Sequence, residues 1–91
     1  MIIVPAKDFN KSVEKIKDKI ARKRLIVLVE KLEKASSLKE ISNVIPMANS
    51  PFLYRIRTGD YRLIVEYKDG EIIILLIEYL KRNENTYRNF N

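Results

Sequence analysis

The sequence lacks the two residue types that most often build metal sites and acid–base centres, since its 91 residues include no cysteine and no histidine. The missing cysteines exclude disulfides and thiolate metal sites, and the missing histidines exclude proton transfer by imidazole. Only two glycines are present, too few for a phosphate-binding loop or a dinucleotide-binding fingerprint. We therefore predict no cofactor and no metal ion.

Long apolar runs are absent as well. The longest, Leu25–Val29 and Ile72–Ile77, are far shorter than the roughly 20 residues that a membrane-spanning helix needs. The first residues also lack the basic start and long apolar core of a secretory signal. The prediction is a cytoplasmic protein with one domain, residues 1–91, and no membrane partner.

The charge is strongly biased towards cations, with 18 lysines and arginines against 12 acidic residues and a net charge of +6. A small basic domain commonly binds a polyanion, because neutralised phosphates release counterions. Many small proteins are basic for solubility alone. Charge by itself leaves both interpretations open.

Residues 53–67 carry the clearest pattern in the chain. Tyr54 and Ile56 alternate with Arg55 and Arg57, and a second alternating run begins at residue 61. This is the period of a half-buried strand, seen twice, and residues 58–60 form the turn between the two strands. The predicted hairpin has one apolar face for a core and presents guanidinium groups, which suit phosphate binding, on the other.

Two helices are predicted upstream of this hairpin. Asp8 is a candidate cap for the first helix, whose apolar residues recur on one face: Phe9, Val13, Ile16 and Ile20. A break near residues 17–19 is expected, because a single helix to Ala35 would be too long to fold back on a small core. The second helix is predicted to bury Ala21, Leu25, Leu28, Val29 and Leu32.

The remaining elements complete an α+β order. An apolar strand precedes Pro5, Ser37 is predicted to cap a short turn, and residues 42–51 are interpreted as an ordered loop. Asp69-Gly70 is typical of a tight hairpin turn, and residues 71–80, apolar on both faces, indicate a central covered strand. Residues 81–91 are predicted to form a short helix or tail. The order β-α-α-β-β-β-(α) predicts an antiparallel-rich sheet with a helical hairpin on one face.

The segment Tyr54–Arg62, Tyr-Arg-Ile-Arg-Thr-Gly-Asp-Tyr-Arg, resembles the Y-R-I-R-x-G-x-Y-R segment of the RelE/ParE toxin superfamily. The resemblance extends to Lys81-Arg82 and Tyr87, where RelE-type members carry a basic–arginine pair and then a tyrosine. It implies a RelE-like fold and the toxin of a type II toxin–antitoxin system. Such toxins are endoribonucleases that cut mRNA in the ribosomal A site and form a hetero-oligomer with a cognate antitoxin.

The resemblance also implies roles for individual residues. Arg62 falls on the family's phosphate-stabilising arginine, Arg82 on the arginine implicated at the leaving group, and Tyr87 on the terminal tyrosine that stacks on or orients the nucleotide. Arg55 and Arg57 fall where well-studied members carry two lysines, one of them proposed as the general base. Arginine effectively cannot lose its proton, so Arg57 is a poor base and Tyr87 or solvent must take the proton.

The predicted catalytic residues are Arg62, Arg82, Tyr87 and Arg57. The RNA-binding residues are Arg55, Arg57, Lys81 and Arg88.

Other interpretations remain open at this point. From residue types alone the arginines are more simply the solvated face of an antiparallel sheet, and only the resemblance reverses that preference. A ParE-like gyrase inhibitor would share the fold, although such chains generally lack the tail represented by Lys81, Arg82 and Tyr87. A catalytically weak relative that only binds RNA or the antitoxin is the third interpretation, because the two lysines are missing.

A partner-binding surface is predicted on the second helix. No single helical face can bury all of Leu25–Val29, so Ile26 or Val27 should be exposed or covered by residues 81–91. An apolar helix edge beside Arg22 and Lys23 suits an acidic amphipathic segment of the antitoxin. The predicted partner-binding residues are Arg22, Lys23, Ile26 and Val27.

Overall fold

The computed structural model describes residues 1–82, which form a five-stranded sheet and two helices. The strands are β1 (Ile2–Pro5), β2 (Val44–Pro46), β3 (Leu53–Thr58), β4 (Tyr61–Tyr67) and β5 (Ile73–Lys81). The helices are α1 (Phe9–Glu14) and α2 (Lys19–Lys34), and a short 3₁₀ helix spans Leu38–Glu40. The predicted α+β fold is confirmed. The predicted final helix or tail, apart from residues 81 and 82, lies outside the described residues.

The sheet has the strand order β1-β5-β4-β3-β2. β1 pairs with β5 in parallel, and the other neighbours are antiparallel. The predicted hairpin is present as β3 and β4, which pair from Leu53↔Glu66 to Thr58↔Tyr61. Gly59, in the turn between them, has φ of 61°, a backbone conformation that glycine adopts most readily.

The break between the helices lies where the sequence predicts it, but two details of that prediction were wrong. Asp18, rather than Asp8, caps a helix with its side chain, and its carboxylate accepts hydrogen bonds from the N–H groups of Ile20 (2.9 Å) and Ala21 (3.2 Å). Ile20 was expected on the buried face of the first helix, yet it lies in the first turn of α2 and is 63% exposed. The break in helical structure at residues 15–18 separates Ile20 from the face that Phe9 begins.

The main core lies between the helices and one face of the sheet. From α2 it takes four residues at helical spacing: Ala21, Leu25, Leu28 and Leu32. From the sheet it takes Ile56, Leu63, Val65, Tyr67, Ile74, Leu76 and Tyr79. Of the five-residue apolar run, Leu25 and Leu28 are buried, whereas Ile26 and Val27 are 59% and 51% exposed, as the limited width of a helical face requires.

The segment predicted as an ordered loop contains a strand, β2, which is a correction. β2 pairs with β3 through Val44↔Ile56, Ile45↔Arg55 and Pro46↔Tyr54. Three residues are too few to show alternation, and Pro46 is tolerated because β2 is an edge strand. The strand therefore depends on the free edge of β3, which the local sequence does not reveal.

The middle of β5 is covered on both faces, and its pairing with β4 is irregular there. Its register with β4 shifts between Ile64↔Glu78 and Val65↔Leu76, so that Ile77 is the extra residue of a β-bulge. A second, smaller core contains Met47, Ile64 and Leu80. It lies on the sheet face away from α1 and α2, which is called the helix-free face for residues 1–82. The prediction of full coverage was wrong at the start of the run, where Ile72 and Ile73 are 62% and 45% exposed. Within residues 1–82, no helix has the length and apolar character needed to cross a membrane.

Candidate nucleic-acid interface

Three of the predicted arginines lie on the helix-free face of the sheet, next to the β3–β4 turn. Arg57 and Arg62 are direct cross-strand partners, and Arg55 lies opposite Ile64, which belongs to the helix-free core. Side chains directly opposite each other on antiparallel strands have Cβ atoms about 5 Å apart. The hairpin therefore holds two guanidinium groups side by side on a rigid support.

Arg82 joins this group because of the β-bulge. Simple alternation from Ile74 and Leu76, which face the helices, would place residue 82 on the helix side of the sheet and residue 81 on the other. The bulge reverses this assignment, so that Leu80 opposes Arg62 and Lys81 opposes Tyr61, which packs against the main core. The backbone N–H of Arg82 also donates to the carbonyl of Asp60 at 2.8 Å, which fastens it to the turn.

The arginine cluster, defined as Arg55, Arg57, Arg62 and Arg82, is a site of concentrated positive charge. Burial lowers the pKa of Arg62, and the charges of Arg82, Arg55 and Arg57 lower it further, in that order. Clusters of like charge with a perturbed pKa are common where a protein binds an anion.

Arg55 and Arg62 lie beside buried apolar side chains, whereas Arg57 and Arg82 are exposed. Ile64, the cross-strand partner of Arg55, is completely buried, and Leu80, the partner of Arg62, is 5% exposed. Charges next to a poorly hydrated surface interact more strongly than charges in open solvent. A phosphate bound here would meet several guanidinium donors, and its interaction with those beside the apolar side chains would be stronger than in open solvent.

The structure brings together only some of the predicted RNA-binding and catalytic residues. Arg55, Arg57, Arg62 and Arg82 share one face, whereas Lys81 belongs by register to the opposite side of the sheet. Tyr87 and Arg88 lie outside the described residues, so their predicted roles stay predictions.

Sequence reasoning missed Glu78, a half-buried carboxylate on the same face as the arginine cluster. Its register partner is Ile64, and it lies two residues before Leu80, the partner of Arg62. Without the bulge, Glu78 would follow Ile74 and Leu76 onto the helix side. No local signal in the sequence marks the bulge, which is why the carboxylate was overlooked.

The predicted partner-binding residues divide into two groups on α2. Val27 and Lys23 line an open groove between α2 and the β3–β4 hairpin. Ile26, one residue along and therefore about 100° around the helix, does not line it. Arg22 is engaged within the protein, since its Nε donates to the carbonyl of Ile16 at 2.6 Å and its Nη2 to that of Val13 at 3.4 Å.

Comparison with known proteins places this geometry in context. No family model matches the sequence, and no curated protein matches it either. Solved structures match nearly the whole chain. The RelB–RelE antitoxin–toxin complex of Methanococcus jannaschii matches with a TM-score of 0.78 and 25% identity, covering 97% of this chain and 99% of the matched chain.

Two further matches agree in fold. The RelE–RelB complex of Pyrococcus horikoshii OT3 matches with a TM-score of 0.70 at 24% identity, covering 91% of this chain and 96% of the other. The isolated RelE toxin of E. coli matches with a TM-score of 0.61 at 20% identity, covering 97% and 92%. At these identities the likeness shows the fold alone. The resemblance predicted from Tyr54–Arg62 is confirmed, and the chain is RelE-like over nearly its whole length.

Proposed function

We propose that the protein is the toxin of a type II toxin–antitoxin system and acts as an endoribonuclease on mRNA in the ribosomal A site. The observation that carries this proposal is the arginine cluster, four guanidinium groups gathered from β3, β4 and the end of β5 on one face of a RelE-like sheet.

Cleavage of RNA by its own 2′-hydroxyl places extra negative charge on the phosphorus centre in the transition state. Arg62 lies at the middle of the cluster, between Arg57 on β3 and Leu80 on β5, and is the group best placed to hold that charge. Pre-organised charges of this kind commonly contribute two to three orders of magnitude in rate. Arg82, tied to the Asp60 carbonyl, is assigned to the departing 5′-oxygen.

The proton of the 2′-hydroxyl needs an acceptor other than Arg57. An arginine stays protonated at any working pH, so Arg57 serves as a cation. The remaining candidates are Tyr87, from the resemblance, and Glu78, which the bulge brings to this face. Without a lysine at positions 55 or 57, cleavage should be slower than in a toxin that has one.

A cognate antitoxin is the proposed protein partner, and the two chains form a hetero-oligomer in the cytoplasm, where the ribosomal target lies. Support comes from the matched M. jannaschii and P. horikoshii structures, both of which are complexes of RelE with RelB. Antitoxin binding keeps the toxin inactive until the antitoxin is lost.

Primer extension on a message translated in a cell-free extract tests the nuclease assignment. Cuts at codon positions that appear only during translation support it. DNA damage or relaxed plasmid after induction in cells would instead indicate a ParE-like gyrase inhibitor. The absence of both effects would indicate a relative that only binds RNA or its antitoxin.

Arg57→Lys tests the role of that position. Lysine can act as a base when neighbouring cations lower its pKa, so we expect the cleavage rate to stay equal or to rise. Single-turnover cleavage of a programmed ribosome, compared with the parent chain, provides the measurement. A loss of more than about tenfold would mean that Arg57 makes a bidentate phosphate contact that an ammonium group cannot replace.

A further inference from the structure

The helix-free face carries two half-buried carboxylates besides the arginine cluster. Glu66 lies on β4 and Glu78 on β5, and they are the two acidic side chains that the described strands place on this face. Glu78 lies opposite Ile64, one row away from the position where Leu80 opposes Arg62. It is therefore the diagonal neighbour of Arg62, at a spacing of about 7–8 Å that long side chains can reach across.

The two carboxylates differ in their distance from the centre of the cluster. Glu66 follows Arg62 by four residues on the same strand, which separates the two by about 13 Å at the rise of a β-strand. The cross-strand partners of Glu66 are the apolar Leu53 and Leu75. A nucleotide whose phosphate is held by Arg62 therefore lies within reach of Glu78 and beyond the reach of Glu66.

The backbone around Glu78 is held on both sides of the bulge by hydrogen bonds to the helices. β1 ends opposite Leu76, and beyond that point the N–H of Tyr79 donates to Oγ of Ser12 in α1 at 3.0 Å. The Tyr79 hydroxyl donates to the carbonyl of Ala21 in α2 at 2.8 Å. Side chains on such rigid elements keep a productive geometry more precisely than side chains on loops.

The proposed reaction needs the kind of group that Glu78 supplies. Attack by the 2′-oxygen requires a proton acceptor, and the guanidinium of Arg57 cannot serve as one. A carboxylate is ionised at neutral pH, since the ordinary pKa of glutamate is about 4.3, whereas a lysine must first lose its own proton. One carboxylate within reach of four guanidinium groups also leaves the site with a net positive charge, so that it still attracts phosphate.

We propose that Glu78 is the general base of the reaction and accepts the proton of the 2′-hydroxyl. The inference rests on the proposed function, because it assigns a role within RNA cleavage. The 2′-oxygen forms its bond to phosphorus as its proton passes to the carboxylate, and the bond from phosphorus to the 5′-oxygen breaks. The 5′-oxygen keeps the electron pair of that bond and takes a proton from water. The products are a 2′,3′-cyclic phosphate and a 5′-hydroxyl.

Single-turnover cleavage of a programmed ribosome tests the assignment with matched variants. Glu78→Gln keeps the shape of the side chain and removes the basic carboxylate, so we expect it to lower the rate by about two orders of magnitude or more. Glu66→Gln makes the same change on the same face beyond the reach of Arg62 and should leave the rate nearly unchanged. Equal rates for the parent and Glu78→Gln, or an equal loss in Glu66→Gln, would overturn the proposal.

The pH dependence provides a signature that a structural role would not produce. The other charged residues on this face and in the adjoining β3–β4 turn are Arg55, Arg57, Arg62, Arg82, Glu66 and Asp60. The arginines stay protonated throughout the assay. Cleavage by the parent should be nearly constant between about pH 6 and 8, because a carboxylate is already ionised there.

In Glu78→Gln hydroxide must take the proton instead, and the rate should rise about tenfold per pH unit over the same range. Glu66→Gln and Asp60→Asn are the controls and should keep the flat profile of the parent. The same pH dependence in the parent and in Glu78→Gln would refute the role of Glu78.

Binding of a fluorescein-labelled adenosine hexamer tests the contact with the 2′-hydroxyl without any cleavage. The parent should bind the ribonucleotide hexamer several-fold more tightly than the deoxyribonucleotide hexamer. Glu78→Ala should remove most of this preference, and Glu66→Ala should keep it. A preference that persists in Glu78→Ala would contradict the contact. Weaker RNA binding by Glu78→Gln than by the parent would show that the carboxylate positions the arginines, and would also overturn the proposal.

The two assays distinguish failure of this assignment from failure of the proposed function. A parent chain that never cuts mRNA but prefers the ribonucleotide hexamer through Glu78 would support the contact and contradict the nuclease assignment alone. A parent chain that cuts mRNA no faster than Glu78→Gln would contradict the role of Glu78 alone.

Discussion

Arg62 stands in a costly position for a cation. It is half-buried, lies opposite Arg57 and is close enough to Arg82 and Arg55 for their charges to lower its pKa. A leucine or methionine at this point of the strand would avoid both the desolvation and the repulsion. A cluster of cations with a perturbed pKa is typical of a site that binds an anion.

We expect Arg62→Ala and Arg62→Met to lower the cleavage rate by about two to three orders of magnitude, since each removes a pre-organised charge from the transition state. Arg62→Met keeps most of the side-chain volume, so the variant should stay folded. Cleavage assays and urea denaturation provide the two readouts. A folded Arg62→Met protein that still arrests growth on induction would refute the catalytic assignment.

At the scale of the element, two features restrict residue 59 in the β3–β4 turn. Gly59 needs φ of 61°, and a Cβ at this position would collide with the Arg24 guanidinium. Gly70, in the turn before β5, also has positive φ, 89°, but a Cβ there would meet nothing within 4 Å. The two glycines differ only in the second respect.

Gly70→Ala should cost about 1–2 kcal/mol of stability from backbone strain alone. Gly59→Ala should cost about the same, because the Arg24 guanidinium that it meets is the far end of a flexible, exposed side chain and can move aside. Removing the Arg24 side chain in Gly59→Ala should therefore recover little. Chemical denaturation of the four proteins provides the measurement. A markedly larger loss for Gly59→Ala than for Gly70→Ala, recovered in the double variant, would show that Arg24 is held rigidly against the turn.

Tyr79 fastens β5 to α2. Its hydroxyl donates to the carbonyl of Ala21 at 2.8 Å, and its ring stacks on Tyr61 with 5.2 Å between the centroids. Burial, and next the neighbouring Tyr61, raise the pKa of Tyr79 to about 12. An unfolded tyrosine has a pKa of about 10. The stabilisation that comes from the neutral phenol is therefore complete below about pH 10 and is lost as the pH rises towards 12.

Tyr79→Phe should lower the free energy of unfolding by about 1 kcal/mol below pH 10, because the hydrogen bond to α2 is lost. The difference between the parent and the variant should then shrink above pH 10 and reverse in sign before pH 12, since only the parent carries the titrating phenol and a shift from 10 to about 12 corresponds to about 2.7 kcal/mol. Urea denaturation at several pH values across this range tests the expectation. A difference that stays constant to pH 12 would mean that the phenol ionises equally easily in the folded chain.

For the whole molecule, the net charge of +6 makes RNA binding depend on salt. If the four arginines of the cluster each neutralise one phosphate, the logarithm of the affinity for single-stranded RNA should fall against the logarithm of salt concentration with a slope of about −2.8. Arg62→Ala should reduce the slope to about −2.1. Lys15→Ala, outside the cluster, should leave it unchanged, and a slope that Arg62→Ala does not alter would place the phosphates elsewhere.

Much of this architecture can be predicted from local patterns. The alternation around Arg55 and Arg57 predicts the hairpin because each strand residue faces the side opposite to its neighbour, whatever the rest of the chain does. The spacing from Ala21 to Leu32 predicts the buried face of α2 in the same way. Such periods are properties of the backbone conformation, so they are visible in the sequence.

The site itself depended on pairing between distant segments. β2 forms because β3 offers a free edge. The bulge at Ile77 lies where residues 64 and 65 of β4 pair with residues 78 and 76 of β5. That single extra residue turns Arg82 and Glu78 towards Arg62 and turns Lys81 away. The sequence by itself determined which side chains carry the charge, but only the tertiary structure decided which of them share a face, because the register of two strands is a property of both.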